Sequence, residues 1–251
     1  VESRAVTEGL SVFIVNSHRD RGREDAYLRM FEQNRVQGIL VASYDPLEER
    51  LQAIRSRGIP SVIVGQHARS VEQPSVSVDE VRGGRLVADH LLATGRRRLA
   101  FVGGPMSIHQ VHDRYQGASD AVRAEPGATI EILHVDERTI DDGRRAAEQI
   151  AARPPSQRPD GVFAANDLTA LGLLQGLVHA GVRVPEDIAL VGYDDIEFGA
   201  SSLIPLSTVR TPQMGFGVRA MDLLVAEMAG DPLPERHVIL DPELVVRASS
   251  G

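Results

Sequence analysis

The sequence predicts an α/β protein whose parallel sheets are covered by helices on both faces and distributed over two lobes. Short runs rich in Val, Ile and Leu alternate with segments whose apolar residues recur at helical spacing, the pattern of successive βαβ units. The strand runs are near-continuously apolar, as strands buried on both faces must be. Their number points to more than one sheet, hence to two lobes.

Val1 to Gly9 reads as the last turns of a helix, with no strand before it, and it leads into an expected strand at Ser11–Val15. A helix over Asp25–Asn34, a strand at Gly38–Val41, a helix over Leu47–Arg57 and a strand at Ser61–Val64 follow. The alternation continues with helix Val81–Thr94, strand Leu99–Val102, helix His112–Arg123 and strand Glu131–Val135. Asp142–Arg153 is expected to be helical, Arg153–Pro159 a proline-rich surface turn, and Gly161–Ala164 a strand. Helix Asp167–Ala180, strand Ile188–Val191 and helix Gly217–Ala229 complete the series. Asp142 and Asp167 suit helix N-termini as caps or first-turn acids, and Gly58 and Gly181 suit left-handed C-caps.

Composition narrows the function. With 42% hydrophobic and 25% charged residues the chain is ordinary globular protein. A net charge of −8 offers no broad basic surface to phosphates, so any DNA-contacting part is expected outside this chain. The absence of cysteine excludes disulfides and thiolate metal sites. The longest apolar runs, such as Ile59 to Gly65, are far short of a membrane span, and Val1 to Gly9 lacks a signal-peptide pattern. A cytoplasmic protein with no membrane partner is expected.

In open α/β sheets ligands bind beyond the carboxyl ends of strands. Asn166-Asp167 follows strand Gly161–Ala164, Asp194-Asp195 follows Ile188–Val191, and Arg114 lies early in the helix after Leu99–Val102. Carboxamide, carboxylate and guanidinium together can pair with several hydroxyls in fixed geometry, which suits a sugar-like ligand. The competing account makes the aspartates helix caps and Arg114 a solvated surface charge. His109, His112 and Asp113 lack the further ligands a metal site needs. Gly215-x-Gly217-x-x-Ala220 reads as a helix entry built of small residues, since no following strand with a terminal acid accompanies it. No Gly-x-Ser-x-Gly elbow, Walker loop or His-Glu-x-x-His motif is present. No catalytic residue, metal ligand or cofactor is expected.

Phe163-Ala-Ala-Asn-Asp167, Ala170-Leu-Gly172, Gly181-Val-Arg-Val-Pro-Glu-Asp-Ile188, Val191-Gly-Tyr-Asp-Asp195, Pro205-Leu-Ser-Thr-Val-Arg210 and Pro242-Glu-Leu-Val-Val-Arg247 follow one another in order. Earlier come Arg35-Val-Gln-Gly-Ile-Leu-Val41, Gly58-Ile-Pro60, His90-Leu-Leu92 and Arg98-Leu-Ala-Phe-Val-Gly-Gly-Pro105. Together they resemble the regulatory domain of the lactose-repressor (LacI/GalR) family along essentially the whole chain.

The resemblance implies a type I periplasmic-binding-protein-like fold, in which three crossovers join two Rossmann-like lobes and the effector sits in the cleft. The crossovers are expected near Val78–Glu80, Thr211–Gln213 and Ile239–Asp241. They divide the chain into an N-terminal lobe of 1–79 plus 212–240 and a C-terminal lobe of 80–211 plus 241–251. The resemblance further implies a homodimer that binds operator DNA through an N-terminal helix-turn-helix head, an element not in this chain. The family's first strand is missing as well, so a segment upstream of Val1 is expected. Residue by residue, Arg114 of Arg-x-x-Gly117 takes the place of the effector-contacting arginine. Asn166 and Asp194 match positions that hydrogen-bond sugar hydroxyls, and Gln66 falls at a cleft-lining position. Ile108, where the family is often polar or basic, and Arg138, near a frequent aromatic wall, depart from the pattern and leave the effector unnamed. The alternative is a secreted sugar-binding protein of a transporter with the same fold. An α/β enzyme lacks any nucleophile–base pair.

Overall fold

The computed structural model describes residues 1–43 and 47–251. In chain order the first elements are α1 (Glu2–Thr7), α2 (Arg21–Gln33), β1 (Ile39–Val41), α3 (Glu48–Arg55), β2 (Ser61–Val64) and β3 (Ser75–Val78). Next come α4 (Glu80–Ala93), β4 (Arg98–Gly103), α5 (His109–Ala124), β5 (Thr129–His134), α6 (Ile140–Ala151), β6 (Gly161–Ala164) and α7 (Asp167–His179). The series ends with β7 (Ala189–Tyr193), α8 (Glu197–Ala200), β8 (Ser207–Arg210), α9 (Gln213–Ala229), β9 (His237–Leu240) and β10 (Glu243–Val245). The chain divides into two compact units, Val1–Val78 with Pro212–Leu240 and Asp79–Thr211 with Asp241–Gly251.

The first unit holds a parallel sheet in the order β1-β2-β3-β9. Val62 and Val76 pack beneath α9 through Met221 and Leu224, while Ile63 joins Leu51 and Ile54 of α3 in a separate cluster. The sheet is thus buried on both faces.

The second unit holds six strands in the order β10-β8-β7-β6-β4-β5, parallel except for the antiparallel pair β10–β8. One apolar cluster joins α6 and α7 to this sheet, and another joins α4 and α5 to it. The chain runs from β4 outward to β5 and then returns past β4 to β6. Strand order therefore reverses at β4, where a doubly wound sheet opens a crevice beyond its strand ends.

Glycines bring the helix pairs together. A Cβ at Gly84 would lie 1.8 Å from the Arg114 carbonyl oxygen, and one at Gly117 would lie 1.8 Å from that of Val81. Gly143 and Gly172 do the same for α6 and α7, with Cβ positions 2.1 Å from Thr169 O and 2.0 Å from Ile140 O.

Most helix starts differ by a few residues from expectation, for local reasons. Helix α2 begins at Arg21 because Asp20 caps it, accepting from Arg23 N at 2.8 Å. Helix α6 begins at Ile140 because Thr139 and Asp142 form a reciprocal capping box. Gly58 and Gly181 stand just past helices at φ +91° and +74°.

The expected strand at Ser11–Val15 is not one. These residues lie outside both sheets and are exposed, Phe13 by 79% and Ile14 by 86%. A strand exists only through a partner for its backbone groups, and the first unit's sheet ends at β1. Conversely, β3, β8, β9 and β10 were not expected from apolar runs. Strands β3 and β8 conceal themselves as polar sequence, since Ser75, Ser77, Ser207 and Thr208 are all buried.

Candidate functional site

Arg114, in the second turn of α5, is held on several sides. It is buried, and its Nε and Nη2 donate to the two carboxylate oxygens of Glu80 at 2.8 and 3.1 Å. Nη1 donates to the Ala165 carbonyl at 2.6 Å, and the guanidinium carbon lies 3.6 Å from the centre of the Tyr193 ring. Glu80 is the first residue of α4, and the glycine contacts between α4 and α5 bring it within reach of an arginine 34 positions away. Burial alone lowers the arginine's pKa, but Glu80 outweighs it and holds the pKa above the ordinary value. Arg114 is therefore a fixed cation rather than a solvated surface charge.

Asp194 follows β7, and its Oδ1 lies 3.8 Å from Arg114 Nη2. It does not cap a helix: the N-cap of α8 is Ile196, which makes no side-chain cap bond. Burial raises its pKa, Arg114 opposes this, Glu80 adds to it and Arg138 opposes it again, leaving the group pushed up to about 6. Asp194 and Asp195 both have positive φ, +106° and +53°.

Asn166, the residue after Ala165, caps α7 through Oδ1, which accepts from Thr169 N at 3.0 Å. Its Nδ2 donates to the Arg138 carbonyl at 3.1 Å. Arg138 has φ +58°, is buried, and donates from Nη1 to Gly104 O at 2.5 Å. Ile108, at the N-cap of α5, is buried in the cluster around Phe101 rather than presented as a polar group. Gln66 belongs to the other unit, where its Nε2 donates to Ser43 O at 2.9 Å.

Arg114, Asn166 and Asp194 thus gather beyond the carboxyl ends of β4, β6 and β7. Glu80, Tyr193 and Arg138 join them, and sequence reasoning proposed no role for Glu80 or Tyr193. The signal for Glu80 was weak, an acid one residue past Asp79 at a helix start. Fixed cation, carboxamide and carboxylate can together orient a polyhydroxylated molecule through paired donors and acceptors. Among the described residues no group of three or more His, Cys, Asp or Glu side chains could hold a metal ion.

A family model described as a periplasmic binding protein-like domain matches residues 88–250. The chain is 30% identical over 252 residues to the HTH-type transcriptional repressor PurR of Aliivibrio fischeri, covering 99% of this chain and 74% of that one. It is 32% identical over 248 residues to the HTH-type transcriptional regulator GntR of Pseudomonas aeruginosa, covering 97% and 71%. A solved LacI family transcriptional regulator from Enterococcus faecalis, with bound ribose, superposes with a TM-score of 0.87 at 26% identity, covering 99% of this chain and 90% of that one.

Proposed function

We propose, for a chain that belongs to the lactose-repressor (LacI) family of transcriptional regulators, that its effector is a small polyhydroxylated molecule bound by Arg114, Asn166 and Asp194. The chain is the effector-binding domain of such a regulator and has the periplasmic-binding-protein-like fold. Its relatives are regulators, which argues against the secreted transport protein and against an enzyme. The observation that carries the proposal is the Arg114–Glu80 pair beside Asp194, a preorganised cation and acceptor at the strand-order reversal. The ribose in the Enterococcus faecalis regulator supports a sugar as the class.

The regulator acts as a homodimer in the cytoplasm and reaches operator DNA through an N-terminal helix-turn-helix head. Among the described residues no helix is long and apolar enough to cross a membrane.

A thermal-shift screen of sugars and purines identifies the effector, since a ligand that binds only the folded state raises the melting temperature. Isothermal titration of Asp194→Ala with the hit then tests the site. Losing one partner of a charged hydrogen bond should weaken binding by roughly tenfold to a hundredfold or more. Unchanged affinity would remove Asp194 from the site.

The pH dependence has a definite sign. Asp194, faced by Arg114, Glu80, Arg138, Tyr193 and Asp167, accepts from a hydroxyl best when ionised, and its raised pKa places the change near pH 6. Affinity should be full at pH 8 and fall by up to about tenfold per unit below pH 6. Titration of Asp194→Asn across the same range should show a flatter profile.

A further inference from the structure

Two successive non-glycine residues at positive φ, Asp194 and Asp195, form an unfavourable turn that persists only where its surroundings over-determine it. Several hydrogen bonds hold it. Asp194 N donates to Val209 O at 2.9 Å. The Asp195 carboxylate accepts from Arg210 Nε and Arg247 Nη2, both at 2.7 Å, and Asp195 N donates to Thr208 Oγ1 at 3.3 Å. Asp167, 1% exposed, adds to them, accepting from Ile196 N at 2.9 Å and from Thr208 Oγ1 at 2.7 Å.

Asp167 is therefore bonded both to the residue that ends the turn and to the hydroxyl that receives the turn's own amide. Strand β7 is shaped for it, because a Cβ at Gly192 would lie 2.1 Å from Asp167 Oδ1. Keeping a carboxylate here is unfavourable. Burial raises its pKa, the bonds from Thr208 and Ile196 lower it, and Asp194 and Asp195 raise it again, to about 7. A first-turn acid serving only the dipole of α7 needs neither that burial nor those two partners.

We propose that Asp167, acting with Thr208, is a positioning residue of the effector site: it clamps the Asp194–Ile196 turn and so fixes the direction of the Asp194 carboxylate toward Arg114. The proposal rests on the reading of Asp194 as an effector contact. It extends the site to a group that touches no ligand.

The test uses Thr208→Val, which keeps the carboxylate and removes one of its donors, and Asp167→Ala, which removes the clamp. Crystal structures come first. Residue 194 should leave the positive-φ region, or Ile196 should withdraw, in Asp167→Ala; if that variant does not fold, Thr208→Val should show a displaced turn. A turn unchanged in the variant solved overturns the clamp, whatever binds the protein. Calorimetric titration with D-ribose follows, on Thr208→Val, Asp194→Ala and the double variant. Thr208→Val should weaken D-ribose binding by about fivefold when Asp194 is present and by nothing when it is absent. An equal loss in both backgrounds would assign Asp167 and Thr208 to general stability and overturn the proposal. Asp194→Ala binding D-ribose as tightly as the parent would sink the effector-contact reading, while the crystal structures still decide the clamp.

Discussion

Replacing Arg114 by Ala is expected to lower the melting temperature by roughly 6–20 °C. Removing one partner of a buried ion pair costs about 3–5 kcal/mol, and in a domain of this size each kcal/mol shifts the midpoint by about 2–4 °C. The reason lies in what remains: Glu80, itself buried, loses both of the N–H groups that offset its desolvation. The Ala165 carbonyl also loses its donor. Replacing both partners, Arg114→Met with Glu80→Met, should recover most of the loss, because two apolar side chains leave no buried charge behind. Effector binding should not recover in the double variant. Thermal denaturation with titration of the same samples separates the two effects, and a single variant that melts with the parent would mean that Glu80 is solvated.

Gly117→Ala is expected to be comparably damaging, by about 3 kcal/mol or more. The new methyl would meet the Val81 carbonyl oxygen at 1.8 Å and its carbon at 2.7 Å, backbone atoms that cannot rotate away. Helices α4 and α5 must separate, and with them Glu80 and Arg114, so affinity should fall together with stability. Gly95→Ala is the control. Its Cβ would meet nothing within 4 Å, and only its φ of +88° opposes the change, a penalty of about 1 kcal/mol. Denaturant titration should rank the two variants in that order. Equal effects would show that the helix contact yields more readily than its geometry implies.

How much of this was legible in the sequence depended on where each residue's partners lie. Strands rich in Val, Ile and Leu, such as β1 and β2, announce themselves because burial is the property their residues share. Strands β3 and β8 do not, because their buried hydroxyls are satisfied from afar. Ser75 bonds His237, 162 positions on, and Ser207 bonds the main chain of Arg247, 40 positions on. Ser11–Val15 misled for the opposite reason, since its composition suits a strand and composition does not supply a neighbour. In the site, Arg114, Asn166 and Asp194 were legible as polar residues just past apolar runs. Glu80 was not, because only the close approach of two helices makes it the partner of Arg114. Asn166 also caps a helix, so the two readings of such a residue are not exclusive.

The stretch from Val12 to Val15 bears on handling the isolated chain. Four consecutive apolar residues, three of them β-branched and none a proline, stand in water without a sheet to join. Such a segment is a template for pairing between molecules. For this chain by itself, these few residues are expected to favour self-association as concentration rises.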